Sequence, residues 1–150
     1  LLTLFLSIAV VSVSSSAQSQ KVPTVDDLLS LKTVGAVQIS PDARWVAYTI
    51  THTDFTQDAF VTHLWVTELQ AGVPGRSFQL TRGDKSVGGA QWSPDSQWLT
   101  FTSTRVGDRN QLFAINPNGG EALQLTKAEQ GVGSHQWSPD GKQIAFTQTE

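Results

Sequence analysis

Three stretches of the sequence superimpose without a gap: residues 34–49, 87–102 and 132–147. Each runs through a Ser-Pro-Asp triplet, at Ser40-Pro41-Asp42, Ser93-Pro94-Asp95 and Ser138-Pro139-Asp140, whose serines lie 53 and then 45 residues apart. A unit repeated at such a period is one supersecondary motif that buries its apolar faces only against its neighbours. Near 45 residues, that motif is the four-stranded blade of a β-propeller. An antiparallel sandwich also spaces short strands evenly, but it has no reason to rebuild one signature at a fixed period.

The residues within a repeat fit that reading. Ser-Pro-Asp-x is a hairpin turn: Ser suits the first position, Pro fixes φ at the second, Asp tolerates the third and Gly suits the fourth. Gly141 holds the fourth position in the third repeat, whereas Ala43 and Ser96 hold it in the first two. Those two turns are expected to carry mild strain if that position needs a positive φ. A strand with period-two alternation follows. Large residues share one face (Val46 with Tyr48, Leu99 with Phe101, Ile144 with Phe146), and small or amphipathic ones the other (Ala47 with Thr49, Thr100 with Thr102, Ala145 with Thr147). A sheet stacked between two others needs such faces, and the six large residues are expected in the core.

A third strand reads Leu64-Trp65-Val66 in the first blade and Leu112-Phe113-Ala114-Ile115 in the second. Turns follow at Gly72-Val73-Pro74-Gly75 and Asn116-Pro117-Asn118-Gly119-Gly120, and a fourth strand ends at Leu80-Thr81 and again at Leu125-Thr126. Thr81 to Ser93 and Thr126 to Ser138 both span 12 residues, so the link between blades is rebuilt identically. The expected fold class is all-β, a partial β-propeller of about two and a half four-stranded blades, at 34–81, 87–126 and, incomplete, 132–150. A closed ring takes roughly 4 to 8 blades. Residues 34–150 are therefore expected to be part of a longer propeller that does not fold stably from this portion alone.

Ahead of the repeats, Leu1 to Val13 form an apolar run, followed by the small residues Ser14-Ser15-Ser16-Ala17. This is the make-up of the apolar core and cleavage region of a secretory signal peptide, assigned to residues 1–17. The run is shorter than the roughly 20 residues that span a bilayer. Cleavage rather than anchoring is expected, with no stable membrane association afterwards and a periplasmic or secreted location. The basic leader and the starting Met are missing, so a few further residues are expected ahead of Leu1. Residues 18–33 read as a linker with one short helix. Thr24 and Asp27 have capping-box spacing, Asp26 and Asp27 suit the positive end of the helix dipole, and Leu28, Leu29 and Leu31 give an apolar side. That helix is expected to run two or three turns to near Lys32, either plugging the propeller edge or docking on another domain.

Chemistry is sparse. Charged residues are 15% of the chain and the net charge is −3. Without clustered Lys and Arg to meet phosphates, no nucleic-acid partner is expected. With no Cys, disulfides, thiolate metal sites, a catalytic thiol and a lipid anchor are excluded. No Gly-x-Ser-x-Gly and no glycine-rich phosphate loop occurs. His52, His63 and His135 are scattered, with no second ligand at metal spacing. His135 aligns with Val37 and Ala90 and reads as a variable position. Asp42, Asp95 and Asp140 recur because the turn recurs. Trp45, Trp65, Trp92, Trp98 and Trp137 fall at packing positions of the blade rather than forming a stacking platform for sugar rings. No catalytic, cofactor-binding or metal-binding residue, and no cofactor, is expected within these 150 residues.

The order of these segments resembles the front of a prolyl oligopeptidase-family serine peptidase of the bacterial acylaminoacyl-peptidase or dipeptidyl-peptidase-like kind. In that family a short Asp-Leu-Leu-x-Leu helix, matched by residues 27–31, precedes repeats written Trp-Ser-Pro-Asp-Gly-Lys-x-Ile-Ala-Phe, matched throughout by residues 137–146. The resemblance covers residues 24–150; Ala43 and Ser96 in place of Gly, and Ile39 in place of Trp, depart from the pattern. TolB-type periplasmic propellers share such blades, but a separate α/β domain precedes theirs, and residues 18–39 leave no room for one. The resemblance implies a carboxy-terminal α/β-hydrolase domain with a Ser-Asp-His triad, and a propeller that admits short peptide substrates and excludes folded proteins. No residue of this chain matches the triad. The alternative is a non-enzymatic, TolB-like periplasmic binding or scaffold propeller.

Overall fold

The computed structural model describes residues 22–148. The expected signal segment, residues 1–17, lies outside them. Among the described residues the fold is all-β apart from one short helix, α1 (Val25–Leu29). The first sheet has four antiparallel strands in sequential order, β1 (Thr33–Ile39), β2 (Trp45–Asp54), β3 (Ala59–Gln70) and β4 (Val73–Gln79). The second repeats that order with β5 (Val87–Trp92), β6 (Leu99–Ser103), β7 (Gln111–Ile115) and β8 (Leu123–Gln124). A two-stranded hairpin follows, β9 (His135–Trp137) with β10 (Ile144–Phe146).

All three Ser-Pro-Asp triplets turn a hairpin, through one repeated hydrogen-bond network. The serine hydroxyl donates to the Asp Oδ1, at 2.6 Å (Ser40), 2.5 Å (Ser93) and 2.6 Å (Ser138). The same hydroxyl accepts the backbone N–H five residues on, at Trp45, Trp98 and Gln143. The carboxylate also accepts the N–H two residues on, from Arg44, Gln97 and Lys142. Ser and Asp are therefore matched, one bridging across the turn and the other filling it. The fourth position is left-handed in every copy, with φ of 57° at Ala43, 60° at Ser96 and 68° at Gly141. An L-residue there is strained by roughly 1–2 kcal/mol. Ser96 gains something in return, because its hydroxyl accepts the Asp42 N–H of the preceding turn at 3.0 Å. Ala43 has no such bond. Ala43→Gly should therefore stabilise the protein by about 0.5–1 kcal/mol once the added freedom of the unfolded chain is counted, whereas Ser96→Gly should not. Urea midpoints of the two variants check this, and an equal gain from both would remove the role assigned to Ser96.

The sheets stack large face on small face. Ala47 and Val66 of the first sheet share one core cluster with Leu99, Phe101, Phe113 and Ile115 of the second. Leu99 and Phe101 are fully buried, and the Phe101 and Phe113 rings stack at 5.7 Å. The expectation of six core residues holds for these two and less well for the other four. Val46 and Tyr48 are half-buried, because the large face of the first sheet points away from the second. Ile144 is half-buried and Phe146 is 42% exposed, since their hairpin has only two strands to shield them.

Two local expectations are corrected. The first hairpin between β3 and β4 turns at Ala71-Gly72, both with positive φ, and Val73-Pro74-Gly75 already belong to β4. Gln70 pairs with Val73, which makes a two-residue turn of the kind whose twist matches its strands. Pro74 is tolerated because β4 is the edge strand of its sheet. The helix has the expected capping box, with the Asp27 N–H donating to Thr24 Oγ1 and the Thr24 N–H to Asp27 Oδ2. It ends at Leu29, however, well short of Lys32. Leu28, Leu29 and Leu31 are exposed, so no packing lengthens it beyond what the cap supports. The Thr53 hydroxyl donates to the Leu29 carbonyl at 2.6 Å and ties the helix end to β2.

Candidate functional site

The blades are joined by a polar seam as well as an apolar one. Gln38 and Gln91 hold the same position in β1 and β5. Gln38 Nε2 donates to the Ala90 carbonyl at 2.8 Å, and Gln91 Nε2 to the His135 carbonyl at 2.6 Å. One side chain per blade thus fixes the height of the next blade's first strand. Within each sheet, Thr81 and Thr126 play a second repeated part: their hydroxyls accept the N–H of Leu64 and Leu112. Gln79 and Gln124 donate to the carbonyls of those same threonines. The Gln-Leu-Thr triplet is therefore the closing latch of the blade's outer strand.

The seam between the second and third repeats holds a buried hydroxyl–imidazole pair. Thr100 Oγ1 lies 2.9 Å from His135 Nε2, accepts from Trp137 Nε1 at 3.0 Å and donates to the Gln91 carbonyl at 3.1 Å. His135 is thus a packed seam residue, not a freely variable position. Gly89, opposite it, is in the left-handed region with φ of 58°, and a Cβ there would only touch His135 Cε1 at 3.9 Å, so glycine serves the backbone conformation and not the space for the ring. A hydroxyl beside an imidazole is the beginning of nucleophilic chemistry, but this one does not serve it. Thr100 is fully buried and His135 nearly so, and the Thr100 hydroxyl is committed to three partners. The pair is a structural contact.

His52 and His63 come together with ring centroids 5.6 Å apart. His63 is buried and its Nδ1 has no hydrogen-bond partner. Among the described residues, no three His, Asp or Glu side chains are grouped so as to hold a metal ion. The turn carboxylates are held below their usual 3.8, at Asp95 and Asp140 chiefly by the hydroxyls of Ser93 and Ser138. At Asp42 burial pulls upward and is outweighed by Ser40, Arg44 and Ser96. All three carboxylates are occupied in holding turns.

Burial lowers the pKa of His135 below 6.5, and burial, His52 and Arg105 together lower that of His63. The folded protein thus binds fewer protons than the unfolded chain between the two sets of values. The stability these groups contribute is complete above 6.5 and declines as pH falls from there towards the folded values. Urea midpoints of the protein should accordingly decrease between about pH 7.5 and 5.5. His135→Gln should flatten that slope, and an unaltered slope in this variant would show that His135 does not titrate with folding.

No family model matches the chain. A Bacillus subtilis protein named as an uncharacterized peptidase, YuxL, is 35% identical over 103 residues, which is 69% of this chain and 15% of that protein. Among solved structures, a TolB from Agrobacterium tumefaciens superimposes with a TM-score of 0.55 at 25% identity, over 72% of this chain and 35% of the other. The acylaminoacyl peptidase of Pyrococcus horikoshii gives a TM-score of 0.60 at 13% identity, over 79% of this chain and 17% of that one. A puromycin hydrolase gives 0.54 at 21% identity, over 70% and 17% respectively. At such identities the last two speak for the fold alone. The repeated turns, the stacked four-stranded sheets and the relative from Bacillus subtilis, of which the chain spans about a seventh, converge: the chain is a β-propeller region related to peptidases of the prolyl oligopeptidase family.

Proposed function

We propose that this chain is the propeller portion of a serine peptidase that acts on short peptides outside the cytoplasm, in the periplasm or after secretion. The observation that carries this reading is the 35% identity to a peptidase of which the chain spans only 15%. The remaining length of such a protein has room for an α/β-hydrolase domain with a Ser-Asp-His triad. The propeller would then stand over that site, admitting extended peptides and excluding folded ones. Fluorophosphonate labelling of the full-length protein, followed by peptide mapping, tests this. The adduct should fall on one serine beyond residue 150, and cleavage of short peptides should be abolished with it. A label on a serine within residues 1–150 would overturn the reading.

A second reading rests on the 25% identity to a TolB propeller. There the chain is part of a binding platform with no hydrolase. A full-length protein that takes no covalent inhibitor and cleaves no peptide would favour it.

A further inference from the structure

Between the outer strand of the first sheet and the β7–β8 turn of the second lies a cleft of about 760 Å³. Three arginines line it, Arg76, Arg82 and Arg105, against a single acid, Glu121. That is a local excess of positive charge in a chain whose net charge is −3. Among the described residues, the recorded ion pair is Lys85 with Asp84, and no carboxylate pairs with any of the three arginines. Arg76 is laid over the Phe78 ring at 4.5 Å. Arg105 is the unusual member. Its guanidinium lies over the rings of Phe101 and Phe113, with its central carbon 4.9 and 5.3 Å from their centroids. Its Nε and one terminal nitrogen, Nη2, are buried without any hydrogen-bond partner.

A buried donor left unmatched is costly, and a charged one more so. The two rings attract the cation through their faces but cannot accept its N–H groups, which radiate in the guanidinium plane. Nε and Nη2 lie on one edge of the fork, the edge that meets two oxygens of a carboxylate or phosphate side by side. The rings therefore fix the fork, and no acceptor among the described residues meets its hydrogen-bonding edge. The cleft has the volume of a small-molecule site, and Thr81 and Asn118 add neutral hydrogen-bonding groups to its wall. Gly119 and Gly120, with φ of 108° and 106°, carry no side chain into the space, and nothing would meet a Cβ there within 4 Å.

We propose that this cleft binds a small oxyanion, a carboxylate or phosphate group, held two-pronged by Arg105 and screened at the rim by Arg76 and Arg82. The proposal rests on these residues alone and not on the peptidase reading, so the two can fail independently.

The test uses the full-length protein and two probes, inorganic phosphate and N-acetyl-glutamate, followed by calorimetric titration and not by activity. Saturable binding is expected, with a dissociation constant in the range of about 0.1–1 mM. Arg105→Gln should weaken it about tenfold or more. Arg105→Lys keeps the charge over the rings but loses the fork, so it should fold as the parent does and still bind about tenfold more weakly. Arg109→Gln, on the exposed loop before β7, should bind as the parent does. Equal affinity in the parent and both Arg105 variants would overturn the proposal. So would an absence of binding in the parent accompanied by a lower melting temperature of Arg105→Lys, which would mean that an acidic group of the protein itself already fills the cleft.

Discussion

Replacing Phe101 by Ala should lower the stability of the propeller by about 3–5 kcal/mol, the range for deleting a buried aromatic ring. Phe101 is fully buried, stacks on Phe113 at 5.7 Å and lies under the Arg105 guanidinium at 4.9 Å. The truncation removes the ring from the seam between two rigid sheets, neither of which can collapse into the space. The equivalent change in the third repeat, Phe146→Ala, should cost about 1 kcal/mol or less in the segment described, because that ring is 42% exposed. Denaturant midpoints of the propeller transition in the full-length protein measure the first effect. A near-neutral Phe101→Ala would mean that the second sheet does not present its large face to the first.

Thr100→Val is expected to be the next most damaging change, though it alters shape very little. The methyl group fits where the hydroxyl was, but Trp137 Nε1 and His135 Nε2 lose their partner at 3.0 and 2.9 Å. Each buried group left unmatched costs roughly 1–3 kcal/mol, and Trp137 is only half-buried, so its share is at the low end and a total of about 2–4 kcal/mol is expected. Thr100→Ser keeps the hydroxyl and should recover most of the loss. If Val and Ser variants were equally stable, the hydrogen bonds would be incidental and the seam held by apolar contact alone.

The period and the turns were legible in the sequence because both are local. A Ser-Pro-Asp turn is closed by residues within five positions of one another, so its chemistry travels with the motif. Even the left-handed fourth residue follows from Gly141, and the structure extends that conformation to Ala43 and Ser96. What pattern alone left hidden depends on neighbouring sheets. Val46 aligns with Leu99 residue for residue, yet one is half-buried and the other fully buried, because only Leu99 has a sheet stacked on its large face. His135 looked interchangeable with Val37 and Ala90, since nothing nearby in sequence shows that Thr100 faces it. Gln38 and Gln91 carried a readable signal, the same amide in the same place, but its meaning lies in a carbonyl 52 residues away for Gln38. The Arg105 cleft was invisible for a similar reason: its three arginines are separated in sequence and meet only when two blades are side by side.

The large-on-small stacking gives each blade a head and a tail. Such a contact is heterologous, made by two different surfaces, and heterologous contacts either close into a ring or continue without limit. Among the described residues, the head of the first sheet, with Val46, Tyr48 and Trp65, and the tail of the last hairpin, with Ala145 and Thr147, have no blade against them. These two surfaces are complementary to each other. Ring closure is thus a protection against filament growth as much as a source of stability, and a length of such repeats that fails to close carries at its ends the means to polymerise.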